Sequence, residues 1–114
     1  MPGDGTEVFI IDNASSDGSC NFLEPLFPDF HFIRNKENSG FSKANNLVIP
    51  LCKGDFILFL NPDTILAEDS LDICISFIRD HADAGAVVSA NDRRSRTISQ
   101  RIQTWFPFPC CIFF

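Results

Sequence analysis

The apolar residues of this chain come in short unbroken runs rather than in alternation, and no other feature restricts its fold as much. Val8-Phe9-Ile10-Ile11 and Phe56-Ile57-Leu58-Phe59-Leu60 are continuous, and Ala86-Val87-Val88 is a shorter third run. A strand with one wet face alternates polar and apolar residues, whereas a strand in a parallel sheet covered by helices is apolar throughout. His31-Phe32-Ile33-Arg34 completes the predicted strands. Between them the spacing turns helical: Phe41, Ala44, Leu47, Val48 and Leu51 in one segment, and Leu71, Cys74, Ile75 and Ile78 in another. A shorter helix carries Phe22, Leu23, Leu26 and Phe27 inward, weakened by Pro25 and ended by Pro28. Pro50 predicts a break near residue 49, and Gly54 ends that connection. Glu68 and Asp69 suit the N-terminus of the last helix, whose dipole favours negative charge there. Strand and helix thus alternate, which predicts an α/β fold: a mostly parallel sheet with flanking helices and Phe56–Leu60 at its centre. The apolar Trp105–Phe114 tail reads as a core segment whose remaining partners lie beyond the chain end.

Composition fits one globular domain of 114 residues, 45% hydrophobic and 21% charged. The net charge of −6 argues against a nucleic-acid partner, which needs a basic footprint. It is compatible with a nucleotide ligand, because a divalent cation can bridge carboxylates and phosphates. No apolar run reaches the roughly 20 residues that span a bilayer. The five cysteines form no C-x-x-C pair, so reduced thiols and a cytoplasmic location are expected, with zinc disfavoured.

In parallel α/β sheets, ligands bind beyond the carboxyl ends of the strands. Polar residues gather at those ends. Asp12-Asn13-Ala14-Ser15-Ser16-Asp17-Gly18 follows the first run, and ordinary turn chemistry selects the same residue types. Asp12, however, directly follows four apolar residues, where a carboxylate needs a partner; fixed there it could accept a hydrogen bond from a nucleobase. Asn61-Pro62-Asp63-Thr64 follows the most hydrophobic run and offers hard oxygen ligands for magnesium or manganese, or else a turn or helix cap. Gly40 opens a helix whose N-terminal amides suit phosphate, although neither G-x-x-x-x-G-K-[ST] nor G-x-G-x-x-G is present. His31 and His81 lie outside these clusters and read as structural.

In order and spacing, Val8–Ser19, Asn38-x-Gly40-Phe41-x-x-Ala44-x-Asn46 and Leu58–Thr64 together resemble family 2 glycosyltransferases of the GT-A fold, a Rossmann-like nucleotide-binding architecture. The Asn-Pro-Asp form resembles the rhamnosyltransferase-like branch, with Ser99-x-Arg101 and Phe106-Pro107 as a weaker match in the tail. The resemblance implies inverting, metal-assisted transfer of a sugar from a nucleoside diphosphate sugar to a hydroxyl of a saccharide or lipid-linked acceptor. Asp12 would contact the base and Asp17 support its loop. Gly40–Asn46 would shape the donor pocket. Asp63, with Asn61, would hold a divalent metal on the diphosphate, the two acidic loops sharing one sheet edge. Asn61 stands where the family usually has Asp, so one formal charge at the metal is lost. A cytoplasmic place, or one peripheral to the inner face of the membrane, fits such an enzyme of polysaccharide biosynthesis.

In the family a strand and helix precede the Asp12 strand, and a catalytic base follows later. Residues 1–114 are therefore expected to be a partial catalytic domain, the donor-binding half, lacking its first strand and the base. A chain so interrupted in mid-sheet is expected to self-associate through an open edge and to transfer no sugar. A remnant that at most binds nucleotide weakly is the alternative. A phosphoreceiver needs a Lys after a later strand, and none follows Lys53. A dehalogenase-type phosphatase needs a nucleophilic carboxylate where Asn61 stands.

Overall fold

The computed structural model describes residues 5–88 and 110–113. The chain divides into two compact units, residues 1–54 and residues 55–114. Every strand pair is parallel, as the unbroken apolar runs require. The described strands form two sheets, one of two strands and one of three, instead of the single sheet expected.

In the first unit, β1 (Phe9–Asp12) pairs with β2 (His31–Arg34) in a register that sets Phe9 against His31 and Asp12 against Arg34. Between them runs α1 (Ser19–Leu23), and after β2 comes α2 (Phe41–Val48). The break expected from Pro50 is present: α2 stops at Val48 and a single 3-10 turn, Ile49–Leu51, follows. The buried positions are Cys20, Ala44 and Val48. Burial in this unit is shallower than the sequence predicts. β1 is only half-buried along its length, because a two-stranded ribbon cannot enclose it. Phe22, Leu26 and Phe27 are exposed, Phe22 by 70%, so the expected inward face of α1 is not formed. A helix of one turn and a half has room for one inward position, and Cys20 takes it. Phe41, Leu47 and Leu51 are likewise exposed, leaving Ala44 and Val48, one helical turn apart, as the inner face of α2.

The second unit holds β3 (Phe56–Phe59), α3 (Ser70–Asp80), β4 (Ala86–Val88) and β5 (Cys110–Phe113). The strand order is β3-β5-β4. Two expectations are corrected here. Phe56–Leu60 is the most hydrophobic run, yet β3 is an edge of this sheet and β5 is its centre. The described part of the tail, Cys110–Phe113, expected to have its remaining partners beyond the chain end, has two within the chain, since β5 pairs with β3 and β4. Parallel neighbours are set by topology, which run hydrophobicity does not encode. α3 follows its predicted spacing: Cys74 and Ile78 are buried with Val87, and Phe56, Leu58, Ile75 and Phe77 pack against them. Arg79 lies 5.8 Å over the Phe56 ring, covering that edge of the core. Both histidines stack on phenylalanines, His31 on Phe9 and His81 on Phe77. Among the described residues no helix is long and apolar enough to cross a membrane. Ser99, Arg101, Phe106 and Pro107 lie outside the described residues.

Candidate functional site

In the first unit the polar residues gather where β1 and β2 end, as a parallel pair dictates: both strands release their loops on the same side. Asp12 closes β1. Its Oδ1 accepts the Ser15 N–H at 2.8 Å, and its carbonyl accepts the Asn35 N–H at 2.8 Å. The partner that a half-buried carboxylate requires is therefore its own loop. Hydrogen bonding from Ser15, through its side chain first and then its backbone N–H, holds the Asp12 carboxyl below the ordinary value, with a smaller contribution from the Arg34 charge. Ala14 lies between at φ 66°, in the left-handed region that a Cβ disfavours, and this residue turns the chain so that Ser15 reaches back. Arg34, opposite Asp12 in register, is tied to Asn21 at 2.7 Å and to Glu24.

Asp17 shapes the end of the same loop. Its Oδ1 accepts the Ser19 N–H at 3.0 Å and the Ser19 hydroxyl at 2.7 Å, and these two bonds lower its pKa, the hydroxyl's the more. Gly18, the N-cap of α1 at φ 75°, has no side chain to cap with, so Asp17 satisfies that amide instead.

Asn13 connects this loop to the one that opens α2. Its Oδ1 accepts from Asn35 Nδ2 and from the Ser39 N–H, each at 3.1 Å, and from the Ser39 hydroxyl at 3.3 Å. Its Nδ2 donates to Asn38 Oδ1 at 2.8 Å, and that oxygen also accepts the Gly40 N–H at 3.0 Å. Gly40 sits at φ 80°, ψ 167°, a conformation open essentially to glycine alone, although a Cβ would meet nothing within 4 Å. The requirement for glycine is conformational, not steric crowding. The structure thus brings Asp12 and Gly40 into one network. Asn46 stands outside it, exposed on the face of α2 opposite Ala44 and Val48.

In the second unit β3 leads through Leu60 into a turn in which the Thr64 N–H donates to the Asn61 carbonyl at 3.0 Å. The alternative cap role for Asp63 or Thr64 does not apply, because the N-cap of α3 is Asp69. Asn61 and Asp63 are exposed, and neither side chain takes part in a hydrogen bond or ion pair among the described residues. Two oxygen donors on one exposed turn fit part of the coordination of a hard cation that draws its other ligands from phosphate and water. Among the described residues no group of three or more His, Cys, Asp or Glu could hold a metal alone.

Asp12, Asp17, Gly40 and Asn46 are the site residues expected in the first unit, yet among the described residues there the side chain with the most hydrogen bonds is that of Asn13. A signal for it existed in the asparagines at 13, 35 and 38, side chains able both to donate and to accept.

The profile of glycosyl transferase family 2 matches residues 2–110. The chain belongs to this family. It is 31% identical over 99 residues to the chondroitin synthase of Escherichia coli, covering 82% of this chain and 14% of that protein. It is 30% identical over 101 residues to the poly-beta-1,6-N-acetyl-D-glucosamine synthase of Staphylococcus aureus strain COL, covering 86% of this chain and 24% of that one. A shorter match, 37% over 65 residues, joins it to the uncharacterized glycosyltransferase YfnE of Bacillus subtilis, covering 55% of this chain and 17% of that protein. The chain therefore spans a quarter or less of the length of these curated relatives. No solved structure matches it significantly.

Proposed function

We propose that this chain carries the donor-binding part of a glycosyltransferase that moves a sugar from a nucleoside diphosphate sugar to an acceptor hydroxyl, with inversion and with help from a divalent metal. The observation that carries this reading is the joined pair of loops at the carboxyl ends of β1 and β2, where an ionised Asp12 and the Gly40 opening of α2 belong to one hydrogen-bonded network. A carboxylate held ionised at a strand end can accept an N–H from a nucleobase. The first-turn amides of α2 suit the negative charge of a diphosphate. Asp17 keeps the loop between them in shape.

Asn61 and Asp63 are the residues that would hold magnesium or manganese. A metal bound there supplies charge neutralisation at the departing diphosphate. The Asn-Pro-Asp form supports a place in the rhamnosyltransferase-like branch, while the similarity to a poly-beta-1,6-N-acetyl-D-glucosamine synthase makes nucleotide-activated N-acetylglucosamine a second donor to assay. Free thiols at Cys20, Cys52 and Cys74 support a reducing, cytoplasmic setting, with the acceptor brought to the inner face of the membrane. Among the described residues β1 and β2 pair with no further strand, and pairing along such an edge is the route by which copies of the chain would associate.

Calorimetric titration with UDP, GDP and dTDP, with and without manganese, tests the reading. Saturable binding of one nucleotide, tightened by manganese and weakened in Asp12→Ala, is expected. Absence of binding to all three would overturn it.

A further inference from the structure

We infer that Asn13 is a positioning residue, a clasp that holds the Ser39–Gly40 backbone to the Asp12 loop and so presets the surface a nucleoside diphosphate meets; the inference rests on the donor-binding reading above.

Hydrogen-bond polarity assigns the two ends of the Asn13 side chain. The Ser39 backbone N–H can only donate, so the Asn13 atom 3.1 Å from it must be the carboxamide oxygen. The Gly40 N–H likewise only donates, so the Asn38 atom 3.0 Å from it must be an oxygen. That oxygen lies 2.8 Å from the other end of Asn13, which must therefore be the amide nitrogen. Position 13 needs an acceptor at one end and a donor at the other. Aspartate, nearly the same shape, supplies only acceptors. Position 38 needs acceptors only, and aspartate there would serve. The two asparagines look interchangeable in sequence, yet the geometry makes one replaceable by aspartate and the other not.

The consequence reaches the proposed ligand. Gly40 occupies a conformation open essentially to glycine, and the clasp fastens the backbone leading into it at two successive amides, the Ser39 N–H and the Gly40 N–H. The Gly40 carbonyl in turn accepts the Ala44 N–H at 3.1 Å and so begins α2. Asn13 follows Asp12 directly, so one residue sets the start of α2 relative to the carboxylate proposed to read the base. With its N–H already taken by Asn38, Gly40 is not among the amides left for phosphate.

The test uses the full chain, labelled with 15N, and reads amide hydrogen exchange at Ser39 and Gly40 together with affinity for UDP, GDP and dTDP in magnesium. Asn13→Ala is expected to speed exchange at both amides by about tenfold while the β1–β2 amides are unchanged, and to weaken the nucleotide the parent binds by about tenfold. Asn13→Asp is expected to spare Ser39 and release Gly40, whereas Asn38→Asp spares both. Unchanged exchange in Asn13→Ala, or lost protection with unchanged nucleotide affinity, would overturn the inference. If Asn13→Ala does not fold, equal Gly40 exchange in Asn13→Asp and Asn38→Asp overturns it. A parent that binds none of the three nucleotides overturns the donor reading alone, and the exchange pattern still upholds or refutes the clasp.

Discussion

The loops that follow β1 and β2 and the turn that follows β3 share residue types, since each offers Asp and Asn at the end of an apolar strand, yet their side chains are used in opposite ways. After β1 and β2 the Asp and Asn side chains are engaged: Asp12 with Ser15, Asp17 with Ser19, and Asn13 with Asn35, Asn38 and Ser39. After β3 a backbone bond from Thr64 to Asn61 closes the turn, and the exposed Asn61 and Asp63 side chains make no hydrogen bond or ion pair among the described residues. The first arrangement fixes a shape before any ligand arrives. The second leaves oxygen atoms whose lone pairs are available to a cation. A preset surface suits recognition of a base and diphosphate, and an open carboxylate near an open carboxamide suits a divalent metal.

Substitutions can break this contrast from either side. The largest effect is expected from Asp63→Ala in the active enzyme, roughly 10²-fold or more in turnover, by analogy with removing a group placed opposite developing charge. Because Asp63 is exposed and has no partner among the described residues, the same change should leave thermal stability within about 0.5 kcal/mol. Steady-state kinetics at saturating manganese, beside a melting curve, checks both halves. Near-normal turnover would remove the metal role. Asp12→Ala should raise the donor KM by about tenfold with a smaller change in kcat, the pattern of lost ground-state binding; a loss confined to kcat would reassign Asp12 to the chemistry.

A gentler probe is pH. The folded-state pKa values of Asp12 and Asp17 are depressed, so each carboxylate adds stability that is present above its unfolded value, about 3.9, and lost as pH falls through its folded value. NMR titration of the carboxyl carbons should give both midpoints below the ordinary value, and Ser15→Ala should raise that of Asp12 alone. Equal movement of both would mean that the two loop bonds are not independent. Smallest of all, Ala14→Gly should be neutral or stabilising by up to about 1 kcal/mol, because it removes a Cβ from a left-handed residue; a chemical denaturation series would show it.

Where local chemistry decides, the sequence was a good guide. Pro50 ends α2 at Val48, and the unbroken apolar runs are parallel strands. The spacing of Cys74 and Ile78 sets the core of the second unit. Long-range pairing was not legible. Nothing in Phe56–Phe59 says that its neighbour is Cys110–Phe113, because a run apolar on both faces fits any position in a parallel sheet. Phe22, Leu26 and Phe27, and with them Phe41, Leu47 and Leu51, are exposed despite their helical spacing, since periodicity reports which residues could be buried and not whether anything covers them. At the candidate site, Asp12 and Gly40 stood out through position and conformation. Asn13 did not, because its importance lies in bonds to residues some 20 or more positions away, and only the parallel pairing of β1 with β2 brings their loops together.

The central claim is that the loops after β1 and β2 form a preset nucleoside diphosphate surface while the turn after β3 takes the metal. It is tested most directly by titrating the 15N-labelled chain with UDP, GDP and dTDP in magnesium, then exchanging magnesium for paramagnetic manganese. The account predicts saturable shifts at residues 12–18 and 39–43 with one of the three, and manganese broadening centred on residues 61–64. Shifts confined to α3 and its flanks, or broadening that leaves Asp63 sharp, would contradict it.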